Sequence, residues 1–209
     1  MIPERALTLG AGTGPPLQGV LTLPQGASAG VVVCHPHPQF GGDMGNPVVT
    51  AVARACAGAN LATLRFNFRG VGSSGGAWDE GRGEQDDVRT AAAHLRSLLG
   101  SPARVALAGY SFGAAMAAAV AAAGEPLAGL ALIAPPLAVG GLPPPPPAVD
   151  GPLLIVAGRG DTYCPPDALA GLTRAWPATT ITIIDGADHF FFGGLEALET
   201  VVTDWATKL

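Results

Sequence analysis

Three residues, each set in a short polar or glycine-rich stretch behind an apolar run, have the side chains that nucleophilic acyl chemistry requires. The first is Ser111, inside Gly109-Tyr110-Ser111-Phe112-Gly113. The apolar run 105–108 precedes it and an Ala-rich stretch follows, so the order reads strand, sharp turn, helix. Such a turn brings neighbouring backbone close to the serine, which is why glycine flanks it on both sides. Amides at the start of the following helix, Phe112's among them, then face a developing oxyanion. A plain glycine-rich turn with a serine N-cap is the competing reading. A serine needs a base, and the base needs an acid to orient it. His189 lies in Asp185-Gly186-Ala187-Asp188-His189-Phe190, just past the run 181–184. Of the other histidines, His94 falls in a helical pattern, and His35 and His37 follow an earlier run. The acid is Asp161, in Gly158-Arg159-Gly160-Asp161-Thr162 after the run 153–157. Asp185, Asp188 and, more remotely, Asp150 are the alternatives; a carboxylate adjacent to the histidine in sequence usually points elsewhere.

These side chains need a scaffold that delivers them to one place. Six apolar runs recur along the chain, at 31–34, 61–66, 105–108, 130–134, 153–157 and 181–184. Continuous runs, as opposed to alternating ones, fit strands of a parallel sheet buried on both faces. Helical patterns lie between them. Asn46-Pro47 is an N-cap with proline at the first helical position, opening 48–59. Glu84, Asp86 and Asp87 precede Val88, Ala91, Ala92, Leu95 and Leu99 at helical spacing, and Gly100 closes that helix. Further helices are expected at 112–123, 166–175 and 195–207. Strand–helix alternation predicts a three-layer α/β domain over 1–209, with right-handed crossovers. The segments 6–9 and 17–23 partly alternate around 10–16, which predicts an antiparallel hairpin on the sheet edge. The Pro-rich stretch 135–152 predicts a stiff, extended crossover in preference to a proline-reading partner's ligand.

Each of the three chemical residues follows a strand, in the order Ser111, Asp161, His189, and in this the chain resembles the α/β-hydrolase superfamily along nearly its whole length. A second stretch, Cys34-His35-Pro36-His37-Pro38-Gln39-Phe40-Gly41-Gly42, resembles the corresponding loop of a branch of small bacterial hydrolases of esterase type. The resemblance implies a three-layer fold with a mostly parallel sheet. It also implies that this loop supplies a second oxyanion amide. Pro36 and Pro38 have no N–H, which leaves Phe40 as first choice and Gln39 as second. Larger relatives insert a cap domain after the strand ending near Ala134. Only about 18 Pro-rich residues separate Ala134 from Leu153, so no cap domain is expected. The implied activity is carboxylesterase-like hydrolysis of short acyl esters through an acyl-enzyme, without a cofactor. A thioesterase, a peptidase or a non-catalytic binding protein of the same fold are the alternatives.

Other features narrow the reading. Gly70-Val71-Gly72-Ser73-Ser74-Gly75 matches a dinucleotide fingerprint, but the loop-like 76–83 follows where a helix must start. His35 and His37 lack the third and fourth ligands of a zinc site, so they are expected to brace their loop, and no metal is expected. The 209 residues include 11 Lys+Arg against 16 Asp+Glu, a net charge of −5 without a basic cluster, which argues against nucleic acid and polyanionic substrates. The uncharged stretches 105–124 and 126–149 are long enough to span a bilayer but are broken by glycine, serine and proline, so no membrane partner is expected. With no leader visible and three cysteines without metal spacing, a soluble cytoplasmic protein with reduced thiols is expected, acting on a small-molecule ester. Oligomeric state is left open.

Overall fold

The computed structural model describes residues 2–10 and 14–209. The strands are β1 (Glu4–Leu9), β2 (Leu17–Thr22), β3 (Ala29–Cys34), β4 (Ala62–Phe66), β5 (Arg104–Tyr110), β6 (Leu130–Ile133), β7 (Leu153–Gly158) and β8 (Thr179–Ile184). They form one sheet in the order β1-β2-β4-β3-β5-β6-β7-β8. Strand β2 is antiparallel to β1 and β4, and every other pair is parallel. Interior strands β3 and β4 bury every residue, because helices cover both sheet faces. Edge strand β1 exposes Glu4, Arg5 and Ala6. The N-terminal hairpin is as expected, although its connection at 10–16 lies partly outside the described residues.

Among the described residues, five α-helices complete the layers: α1 (Pro47–Gly58), α2 (Arg82–Leu99), α3 (Phe112–Ala122), α4 (Pro166–Ala175) and α5 (Leu195–Ala206). The α1 start follows from its sequence, since Asn46 Oδ1 accepts the Val48 N–H at 2.9 Å with Pro47 at the first position. Helices α1 and α5 cover one face, packing Val52 and Trp205 with Val31, Val33 and Ala106. On the other face, α2, α3 and α4 bring Val88, Ala118 and Leu169 to Val32 and Leu107. The Ala-rich face of α3 lets its backbone lie close to the sheet beneath the site.

Two departures from the sequence reading bear on function. Strand β5 runs two residues further than its apolar run, through Gly109 and Tyr110, and the ladder continues as Ser111 N–H donates to Ile133 O at 2.9 Å. A single 3₁₀ turn, Pro38–Phe40, follows β3. The crossover 135–152 has no helix and is tied down by Ala138 N–H to Tyr163 O at 2.9 Å and Leu127 N–H to Ala148 O at 3.0 Å. Among the described residues, no cap domain is inserted there.

Candidate active site

Ser111 stands between β5 and α3 with φ 54° and ψ −114°, a left-handed backbone that a non-glycine residue holds only under strain of about 1–3 kcal/mol. The turn is tight enough to forbid side chains on either flank. A Cβ on Gly109 would collide with the Gly113 carbonyl, and one on Gly113 with the carbonyls of Cys34 and His35. The second collision matters most, since it shows that α3 starts directly against the loop leaving β3. Among the described residues, the amides of Phe112 and Gly113 donate to no protein acceptor.

Asp161 and His189 arrive from the ends of β7 and β8. His189 Nδ1–H donates to Asp161 Oδ2 at 2.9 Å and lies 3.0 Å from Oδ1, which leaves Nε2 to accept from Ser111 Oγ at 3.1 Å. Asp161 is 2% exposed and its Oδ1 also accepts the amides of Tyr163 and Cys164, both at 2.8 Å. The buried carboxylate is thus fully hydrogen-bonded. The alternative acids lie elsewhere: Asp185 pairs with Arg159 at the surface, Asp188 Oδ1 accepts the amides of Phe190 and Phe192, and Asp150 is exposed in the 135–152 crossover.

Tyr110 is a member that sequence reasoning passed over. Its hydroxyl donates to the His189 carbonyl at 3.0 Å, and its ring lies 5.6 Å from the imidazole. Burial, with Asp161 and then Asp188 acting in the same direction, pushes the phenol's pKa up, so it stays a donor. The only sequence signal was its place beside the serine.

The loop after β3 is organised differently from the expectation. The Phe40 N–H donates to His37 O at 3.1 Å, and the Gln39 N–H to His37 Nδ1 at 3.2 Å. Both amides expected to face the oxyanion are therefore engaged inside the loop's own turn. The amide between the two prolines, that of His37, donates to no acceptor among the described residues. The signal was present in Pro38, which opens a turn whose hydrogen bonding takes up the Phe40 amide. His35 is the brace: Nδ1–H donates to Pro36 O at 2.6 Å and Nε2 accepts the Phe68 N–H at 3.0 Å, so the ring is neutral and bridges two loops. Burial lowers its pKa to about 4, against opposing pulls from the Pro36 hydrogen bond and Asp43. Burial also lowers that of His37, with Glu84 opposing.

The remaining sequence features take structural places. The stretch 70–75 is closed by Gly70 N–H to Gly75 O at 3.0 Å and Ser74 N–H to Val71 O at 2.9 Å, and no helix starts before Arg82. Arg69 anchors it through Asp87, at 2.8 Å between Nη2 and Oδ1. Among the described residues, no three His, Cys, Asp or Glu side chains are grouped to hold a metal ion, and no helix is long and apolar enough to cross a membrane. A cavity of about 150 Å³ between β8 and α5 includes Thr180, Asp204 and Trp205 in its lining and shares no residue with Ser111, Asp161 or His189.

The profile of the alpha/beta hydrolase domain family matches residues 29–196. The chain belongs to the alpha/beta hydrolase family. Solved structures of similar hydrolases overlay it almost completely. An alpha-beta serine hydrolase homologue from Coxiella burnetii has a TM-score of 0.86 and 34% identity, over 96% of this chain and 96% of that one. A lidless serine hydrolase from Xanthomonas campestris has a TM-score of 0.84 and 35% identity, over 96% and 92%. An uncharacterized protein of Rickettsia prowazekii (strain Madrid E) is 30% identical over 182 residues, 83% of this chain and 76% of the relative. The chain is thus an α/β hydrolase of the small branch without a lid, which agrees with its short β6–β7 crossover.

Proposed function

We propose that this α/β hydrolase is a carboxylesterase-like enzyme that cleaves short acyl esters with Ser111 as nucleophile. The observation that carries the reading is the unbroken hydrogen-bond chain from Asp161 through His189 to Ser111 Oγ. Nε2 of His189 takes the hydroxyl proton as Oγ attacks the ester carbonyl carbon, forming a C–O bond and placing negative charge on the former carbonyl oxygen. The Phe112 and His37 amides are the donors for that oxyanion; one well-placed donor lowers the barrier by about 3 kcal/mol. Asp161 stabilises and orients the imidazolium, which then gives its proton to the departing alkoxide as the ester C–O bond breaks. Water, deprotonated by His189, attacks the acyl-enzyme, and Ser111 is released with its proton restored. The steps need no metal or redox group.

The direct test is intact-mass measurement after exposure to a fluorophosphonate, with Ser111→Ala and His189→Ala alongside. The expected result is one adduct on Ser111, absent in the first variant and formed far more slowly in the second. Folded wild-type protein that stays unlabelled and turns over no ester would mean that the serine is not activated. Competition between an ester and the matching thioester or amide then ranks the acyl donors.

A further inference from the structure

The rings around the oxyanion amides point to the acyl group that the site selects. His37, Trp78 and Phe112 form a mutually packed wall, with centroids 4.8 Å apart for His37–Trp78, 5.0 Å for His37–Phe112 and 5.2 Å for Trp78–Phe112. Phe40, 86% exposed, extends the wall from His37 at 4.7 Å. Two of these residues, His37 and Phe112, are the ones whose unengaged amides would hold the oxyanion. A carbonyl oxygen bound there brings its acyl substituent within a side chain's length of the wall. The leaving alcohol must lie on the other side, because His189 Nε2 hands it a proton.

The geometry points to a compact, uncharged aromatic acyl group, of the benzoate type, packed against Trp78 and Phe112. This inference rests on the serine hydrolase reading above. Among the described residues no cap domain is inserted to enclose a chain laid along the wall, and a flexible alkyl chain loses rotamer freedom on binding. A planar ring loses almost none and gains edge and face contacts at the 4.5–7 Å spacing that aromatic pairs prefer. Charge decides against an acidic acyl group. The buried Glu84 carboxylate acts electrostatically on His37, and the Arg69 guanidinium is taken up by Asp87.

The experiment compares kcat/KM for the p-nitrophenyl esters of benzoate and cyclohexanecarboxylate, each divided by its rate of hydroxide hydrolysis. The two acyl groups have the same carbon count and similar apolar area, so their ratio isolates the planar ring. The expected ratio is about 3- to 10-fold in favour of benzoate. It should fall to near one in Trp78→Leu and persist in Trp78→Phe, with fluorophosphonate labelling of each variant reporting an assembled site. A wild-type enzyme that labels and turns over both esters with a ratio of one or less overturns the aromatic assignment and leaves the hydrolase reading standing. A ratio that survives Trp78→Leu in a labelled variant overturns the role of this wall. Absence of labelling and of turnover in the wild type overturns the hydrolase reading and this inference with it.

Discussion

At the scale of single residues, the candidate site is a set of hydrogen bonds in which each partner has one remaining role. Asp161 Oδ1 is held by two backbone amides and so cannot swing away from the His189 ring. The His189 backbone is held in turn by the Tyr110 hydroxyl. Tyr110→Phe removes that donor and leaves a buried carbonyl short of a partner, at a cost of about 1–3 kcal/mol in stability. The expected kinetic result is a several-fold drop in kcat with KM little changed, because the loss falls on the placement of Nε2 and not on substrate contacts. Denaturant titration and steady-state kinetics on one ester measure both effects. An unchanged kcat would reduce Tyr110 to a packing residue.

At the scale of elements, the site depends on how closely α3 approaches the loop after β3. Gly113 sits where a Cβ would strike the carbonyls of Cys34 and His35, so Gly113→Ala must push the helix start away from that loop. Backbone cannot yield as a flexible side chain does, and overpacking of this kind costs about 1–3 kcal/mol. The same displacement separates the Phe112 amide from the His37 amide. Under the proposed mechanism, ester turnover should therefore fall by on the order of 10²-fold, the loss seen when one oxyanion donor is removed. An active Gly113→Ala with wild-type melting behaviour would show that the approach is looser than the structure indicates.

At the scale of the whole molecule, the buried loop brace couples stability to pH. His35 is fully buried with its pKa lowered from 6.5 to about 4. Between those values the unfolded chain binds a proton that the folded chain refuses, so acid favours unfolding and stability rises with pH across the window. The stabilisation is complete above about pH 6.5, is lost as pH falls toward 4, and amounts to on the order of 3 kcal/mol. In His35→Gln this part of the slope disappears, so the variant's deficit relative to wild type should shrink from pH 7.5 to pH 4.5 in urea titrations. A deficit independent of pH would mean that His35 titrates alike in both states. The three cysteines, Cys34, Cys56 and Cys164, are buried in the native molecule, and burial pushes their pKa values up, to about 12 for Cys56.

The sequence alone determined the alternation of strands and helices, the N-terminal hairpin and the meeting of Ser111, Asp161 and His189. The first two are local matters, an apolar run long enough for a strand and a capped amphipathic stretch; the third follows because each residue stands in the loop after a parallel strand, so one sheet edge collects all three. Strand ends moved by a residue or two, as β5 did through Gly109 and Tyr110, because ladder hydrogen bonds to β6 continue past the end of the apolar run. Only the tertiary structure decided which amides are unengaged and what stands behind Ser111, Asp161 and His189. The Phe40 and Gln39 amides were open candidates until the turn opened by Pro38 engaged them with His37. Tyr110 holds the backbone of His189, a residue 79 positions further along the chain, and His35 bridges to Phe68, 33 positions away. No local pattern encodes such pairings, since each partner satisfies its own element's rules whether or not the other is present. Packing two loops against one helix start is what selects them.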